Sequence, residues 1–386
     1  MIIRQESVEP TKALKDLPST SPLPSANLVL AFGSVKRFTE GKLQGFLKLR
    51  YPSAQIVGCT TSGEISPNGV FDDSIQITAI QWEKTIQRVA HTKMTGMLNS
   101  FEAAAGLAKQ LKADTLRTVL VISDGLNVNG SELLKGFQSV LGDVPIVGGL
   151  AGDGGAFVKT LQLFNETISD NQVIAVGLYG NALIASSGAL GGWKPYGPPR
   201  TVTKSEKNVV FEMDGKPALP LYRMYIGEAF ARGLPGTGLK FPLAVIEEGK
   251  REVEKIRTLL AIDSGKNSLT FAGNVEEGET VRLCQTNHDR LVEGAGNAAN
   301  LVMDGLTGSK TNQVGLALMV SCVGRKGVMA EKVGDEVKLV QQILGPQTSV
   351  AGFYSYGEIA PRPNTTDSVL HNQTMTIGYL SENLLA

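Results

Sequence analysis

One turn occurs twice in this sequence and limits what the chain can fold into. GCTTSGEISP at residues 58–67 and GFYSYGEIAP at residues 352–361 share the frame Gly-x4-Gly-Glu-Ile-x-Pro, each after a short apolar run. An altered form lies between them, Gly148-x3-Gly152-Asp153, one residue shorter and with the other acid in place of Glu. A glycine at a strand end lets the chain reverse, and a second lets backbone N–H groups approach another group closely.

The order around each turn also recurs. NLVLAFGS (27–34), a segment with helical spacing at Phe38, Leu43, Phe46 and Leu47, then AQIVG, the turn and SIQITAIQW (74–82) make one copy. TVLVIS (118–123), SELLKGFQSVLG (131–142), PIVGG, the loop GLAGDGGAF, LQLFN and QVIAVGLYG make a second. GLALMVSC (315–322), GDEVKLVQQILG (334–345), SVAG, the turn and TMTIGYL (374–380) make a third. Spacing alone is weak: Gly273 to Glu279 also fits Gly-x4-Gly-Glu, but it lies between SLTFAG and TVRLC with no helix before it and reads as a hairpin. The expected fold is α/β, with mixed β-sheets, helices packed outside and pseudo-repeated strand–helix–strand–loop–strand units.

A chain of 386 residues exceeds the usual limit of one core, so two domains are expected. Gly, Pro and charge concentrate in GGWKPYGPPRTVTKSEK (191–207), which divides the chain into domains at 27–200 and 201–386, with LAVIEE as a strand of the second. Residues 1–26, with four prolines among Ser and Thr, read as a flexible arm. Lys plus Arg and Asp plus Glu both total 37, so no basic field exists to hold nucleic acid. No signal peptide and no run of ~20 apolar residues is present, which points away from the membrane and toward the cytoplasm. Three scattered cysteines and three histidines without ligand spacing predict neither a disulfide framework nor a metal. Phosphate-loop, dinucleotide and nucleophile-elbow patterns fail on inspection, and no cofactor is expected.

IVGCTTSGEI and PIVGGLAGDGGAF, followed by FPLAVIEE, KIRTLLAID, SCVGR, GFYSYGEIAP and HNQTMTIGY, resemble the FIST family, in which an N-terminal and a C-terminal FIST domain stand in tandem. The resemblance implies a sensory, signal-transducing module that binds a small ligand, an amino acid or a relative. Its output is then expected in a separate signalling protein.

The candidate binding residues fall in two groups. Glu64, Asp153 and Glu358 follow the turn glycines; each can hold a ligand's amino group, or accept hydrogen bonds from its own loop and fix the turn. Tyr354 and Tyr356 flank Glu358 and can cover a small ligand, while Cys59 stands among the small residues of the first turn. Cys322, Arg325, His371, Asn372 and Gln373 form the second group, with Arg325 able to clamp a carboxylate. Two other functions stay open. One is an enzyme with Cys322 or Cys59 as nucleophile and His371 as base. The other is a protein-interaction scaffold in which these loops only shape the fold.

Overall fold

Apolar runs before and after each helix form a buried parallel pair, and the chain makes that pair three times. The computed structural model describes residues 1–18, 20–246, 253–306 and 314–384; Glu247 and Glu248 of the expected strand LAVIEE lie outside them. The first unit runs β1 (Ile2–Val8), β2 (Leu28–Gly33), α1 (Val35–Thr39), α2 (Leu43–Arg50), β3 (Gln55–Thr60), the hairpin β4 (Glu64–Ser66) and β5 (Gly69–Phe71), and β6 (Ile75–Gln81). The second runs β7 (Ile86–Lys93), α3 (Ser100–Leu111), β8 (Leu116–Ser123), α4 (Gly130–Leu141), β9 (Ile146–Leu150), the hairpin β10 (Gln162–Phe164) and β11 (Thr167–Ser169), and β12 (Gln172–Tyr179).

The third unit opens with β13 (Leu183–Leu190) and is then interrupted. The interruption holds β14 (Lys194–Glu206), β15 (Val209–Met213), β16 (Lys216–Pro217), α5 (Ala218–Ile226), α6 (Glu228–Ala231), β17 (Leu243–Ile246), β18 (Val253–Arg257), β19 (Leu259–Asp263), β20 (Ser268–Phe271) and β21 (Thr280–Gln285). The unit resumes with α7 (His288–Gly305), β22 (Gly315–Cys322), α8 (Val323–Met329), α9 (Gly334–Leu344), β23 (Thr348–Ser355), the hairpin β24 (Gly357–Pro361) and β25 (Ser368–His371), and β26 (Met375–Glu382).

Each unit gives its hairpin away. Sheet I runs β1-β6-β2-β3-β10-β11, sheet II β7-β12-β8-β9-β24-β25, and sheet III β13-β26-β22-β23-β4-β5. The hairpin after the turn of unit one therefore completes sheet III, that of unit two completes sheet I, and that of unit three completes sheet II. The turns are the crossing points of a cyclic exchange, and they hydrogen-bond to one another. Ser62 N–H donates to the Tyr354 carbonyl at 2.8 Å, Gly152 N–H to Thr60 at 2.9 Å, and Tyr356 N–H to Leu150 at 3.3 Å.

The three sheets turn their inner faces to one apolar core that includes Phe32, Ile122, Val176, Val320 and Phe353. Helices cover the outer faces: α1 and α2 through Phe38, Leu43 and Leu47, α3 and α4 through Leu107, Leu133 and Phe137, α7 and α9 through Ala298, Val302 and Val340. The interrupting segment forms a fourth sheet, β18-β17-β21-β14-β15-β20-β19, with a core of its own around Val210, Tyr222, Phe271 and Val281. No described helix is long and apolar enough to cross a membrane.

The repeat is exact at one glycine. Gly58, Gly148 and Gly352 sit in register with Ala31, Val121 and Met319 of the adjoining parallel strands. A Cβ at any of them would fall 1.8–1.9 Å from that partner's carbonyl oxygen. The backbones approach so closely that glycine alone fits.

Two expectations are corrected. Residues 2–8, expected in a flexible arm, form β1, paired along its length with β6, because Ile3 and Val8 have apolar surface to bury there. Asp153 is not the second unit's counterpart of Glu64 and Glu358. The strand register aligns Ile65, Leu163 and Ile359 opposite the three equivalent glycines, which places Gln162 at the acid position.

Candidate functional site

The acids after the turn glycines point inward. Glu64 is buried, accepting from the Thr61 hydroxyl, from Ser74 N–H at 3.0 Å and from the Ser74 hydroxyl at 2.8 Å. Glu358 is buried equally, accepting from the Ser355 hydroxyl at 2.7 Å and Thr374 N–H at 3.2 Å. Gln162 does the same work without charge, accepting from Gln172 N–H at 2.9 Å. All three side chains tie a crossing hairpin to the N–H at the start of the unit's last strand. Burial pushes the Glu64 carboxyl up to about 7 and that of Glu358 to about 8, overriding the hydrogen bonds that favour the anion. The amide at Gln162 fits this preference for a neutral group.

The sign of the pH effect follows. A carboxyl raised in the folded state adds stability below its unfolded value near 4.5, and this is lost as pH rises through about 8. Glu358→Gln removes that dependence. Urea midpoints of the variant should gain on wild type steadily from pH 5 to pH 8; a constant difference would show that Glu358 is already ionised in the fold.

Arg325 is turned into the interior. Its fully buried guanidinium bonds to the Glu336 carboxylate of α9 and to the Gly191 and Leu291 carbonyls. Glu336 also accepts from the Tyr354 hydroxyl at 2.6 Å and the Ser321 hydroxyl at 2.9 Å, so Tyr354 is internal as well. Cys59 lies in the shared inner core, where burial pushes its thiol well up. These three were expected at a ligand; the structure turns all of them into the interior.

Cys322 stands beside Glu358, and burial, with the Glu358 charge, pushes its thiol far above the ordinary value. His371 pairs with Glu358 across β24 and β25, but its Nε2 meets the Ala360 carbonyl at 3.1 Å and burial holds the imidazole down to about 4. Asn372 donates to the His371 carbonyl at 2.9 Å, and Gln373 to the Leu239 carbonyl at 2.9 Å, joining unit three to the interrupting segment. The structure thus gathers Cys322, Glu358, His371, Asn372 and Gln373 into one buried region at the start of α8.

Tyr356 is placed differently. Its hydroxyl bonds to Asp153 and accepts from Phe157 N–H at 3.2 Å, and its ring stacks on Phe157 at 4.2 Å and 9°. Asp153 accepts from Phe157, Val158 and Lys159 N–H at 2.7–2.8 Å, which holds its carboxyl below the usual range together with the Tyr356 bond. The carboxylate folds residues 153–159 into a cap whose Phe157 takes φ 57°, an unusual setting for a bulky residue.

Beneath this cap lies a cavity of about 100 Å³, lined by Gly125, Asn129, Leu150, Phe157 and Tyr356 on one side and by Asn208, Leu260 and Phe271 of the fourth sheet on the other. Unit two alone has the chain to build it. In units one and three a helix starts directly after the first strand of the parallel pair, at Val35 and Val323; in unit two, residues 124–129 intervene before α4. After the second strand, eleven residues precede the hairpin at Gln162, against three after β3 and one after β23. Both extensions stand at the carboxyl ends of the parallel pair β8 and β9, where open α/β sheets commonly bind ligands. Asp124 organises the first extension, accepting from Leu126 N–H at 2.8 Å, Asn127 N–H at 2.7 Å and the Thr160 hydroxyl at 2.8 Å. Asn129, Asn208, Leu260 and Phe271 were not among the expected residues. The signal for Asn129 was DGLNVNG at 124–130, a turn-rich stretch without counterpart in the other copies. Nothing local marks the other three, which arrive through the fourth sheet.

Comparison with known proteins agrees with this architecture. Residues 27–216 match the FIST N domain and residues 218–361 the FIST C domain, and the chain belongs to the FIST family. FIST domains are sensory modules of signalling systems. The two matches meet inside the fourth sheet, between β16 and α5. The chain is similar to the uncharacterized proteins MJ1623 of Methanocaldococcus jannaschii, at 24% identity over 72% of this chain and 56% of that one, and Mb0898c of Mycobacterium bovis, at 25% over 63% and 62%. It is similar as well to the uncharacterized protein Rv0628c of Mycobacterium tuberculosis, at 27% over 63% of each chain. The chain thus spans about three fifths of the length of these relatives. A crystal structure of cyanuric acid hydrolase from A. caulinodans covers 99% of both chains at 8% identity and a TM-score of 0.40, a likeness too distant to bear on activity.

Proposed function

We propose that this chain is a non-catalytic sensory protein that binds a small metabolite in the cavity at the ends of β8 and β9. The observation that carries the reading is the make-up of that cavity. The three-sheet body supplies one wall and the fourth sheet the other, so an occupant would bias how the two sit together. The lining is mostly apolar, with Asn208 and strand-end backbone as its polar part, while Asn129 caps α4 and donates to Asn274. This suits a small molecule with an apolar body and a polar end, as amino acids and their keto-acid relatives are. A change in the fourth sheet's position would be read by a separate signalling partner in the cytoplasm. Catalysis at Cys322 is disfavoured by its raised thiol and by the engagement of the His371 Nε2.

A thermal-shift screen over amino acids and keto acids tests the proposal. A stabilising ligand should raise the Tm by several degrees at saturating concentration. Leu260→Trp, which fills the cavity from the fourth sheet, should remove the response while leaving the unliganded Tm within a few degrees of wild type. A ligand whose effect survives Leu260→Trp, or a complete lack of response beside a tight protein partner in pull-down, overturns it.

A further inference from the structure

A second, larger cleft of about 600 Å³ opens at the other end of the sheets, where unit three meets unit two. Its walls are Thr118, Pro145 and Val147 from the amino-terminal ends of β8 and β9, residues 185–187 of β13, residues 378–380 of β26, the end of α7 and the turn after β24. The pseudo-repeat supplies a control for this cleft, because the same seam exists twice more.

The strand registers align the pair Gln5/Thr78 of unit one with Val89/Val176 of unit two and Ser187/Gly378 of unit three. In unit one the seam is bridged: Gln5 Nε2 donates to the Thr78 hydroxyl at 3.1 Å and to the Val350 carbonyl of the adjoining unit at 2.8 Å. In unit two it is filled, since Val176 and Val89 pack into the shared core with Val57. In unit three the corresponding side chains are a hydroxymethyl group and a hydrogen, and Val147, the counterpart of Val57, lines the cleft instead. At Gly378 the seam is already covered by Val147, which would lie 3.0–3.3 Å from a Cβ there, so the cleft opens beside it, at Ser187.

We infer that this cleft is a second binding site, for a neutral polyhydroxylated molecule: a sugar, free or as part of a nucleoside. Ser187, Asn364 and Thr366 line it, beside Ser186 and Thr365, whose hydroxyls already donate to the Val302 and Arg362 carbonyls. Hydroxyl and amide groups both donate and accept, as a ligand's vicinal hydroxyls do. The cleft's two charged side chains, Asp304 and Arg362, are opposite in sign, so a neutral ligand is favoured over an ion. Its volume falls in the usual range for small-molecule sites.

Titration calorimetry of the full chain with D-glucose, D-ribose, adenosine and uridine distinguishes the sources. At least one should bind with a Kd of about 1 mM or tighter. Ser187→Gln copies the closure of unit one and should weaken that binding by about tenfold or more. Asn364→Ala, on an exposed turn whose left-handed backbone (φ 59°) alanine adopts at a small cost, should weaken it severalfold. Leu260→Trp, in the other cavity, should leave it unchanged. Failure of all four ligands to bind at that level overturns the inference, as does binding that neither Ser187→Gln nor Asn364→Ala affects.

Discussion

Gly352→Ala should cost more than about 3 kcal/mol of unfolding free energy, above the usual range for one added methyl in a core. The added Cβ would stand 1.8 Å from the Met319 carbonyl oxygen and 2.7 Å from its carbonyl carbon. Both belong to the backbone of β22, so no rotamer change relieves the clash; the parallel strands must separate, and the ladder between them is buried. β23 also carries β4 on its other edge, so displacement there reaches the turn of unit one. Gly58→Ala meets the Ala31 carbonyl oxygen at 1.9 Å and should behave alike. Gly106, within α3 and with nothing within 4 Å of its Cβ position, is the control. Gly106→Ala should be neutral or stabilise by up to about 1 kcal/mol, the helix preference of alanine over glycine. Urea unfolding followed by far-ultraviolet circular dichroism reads all three. A Gly352→Ala midpoint equal to wild type would mean that the close strand approach does not exist.

Those glycines explain how much of the fold could be read in the chain. A backbone contact that admits only hydrogen leaves a sequence mark at each recurrence, and the acid after the turn leaves one in units one and three. The three units and their helices were therefore legible from Gly58, Gly148 and Gly352 and the apolar runs around them. The exchange of hairpins was not, because strand pairing across units depends on long-range register and each hairpin has the same local pattern whichever sheet it joins. Asp153 misled for a related reason. It follows a turn glycine in sequence, yet the insertion before Gln162 moves the structural position nine residues onward, to a side chain whose charge differs. Tyr356 faces the cavity while Tyr354, two residues before it, faces inward, and nothing local in the sequence separates the two. Arg325 was misread because an arginine after a strand looks the same in sequence whether its carboxylate partner is a ligand or a helix eleven residues ahead.

That distinction gives the second large effect. Arg325→Met should destabilise the fold by about 3–5 kcal/mol, the cost of leaving a buried charge without its partner. Glu336 would keep its bonds from Tyr354 and Ser321, but two neutral hydroxyls do not replace a guanidinium at a site with no water contact. The Gly191 and Leu291 carbonyls would lose their donor at the same time, loosening the join between β13, the fourth sheet and α7. Removing both charges should be far milder. Arg325→Met with Glu336→Met leaves an apolar pair of similar volume, and such replacements of buried ion pairs are often neutral or favourable. The double variant should therefore recover most of the loss, with a coupling energy of at least about 2 kcal/mol between the two positions. An arginine reserved for a ligand carboxylate predicts the reverse: Arg325→Met nearly as stable as wild type, no coupling to Glu336, and the thermal response to ligand lost. Unfolding of the two single variants and the double variant, with ligand response measured on each, separates the two roles, because only the internal clamp makes the second substitution repair the first.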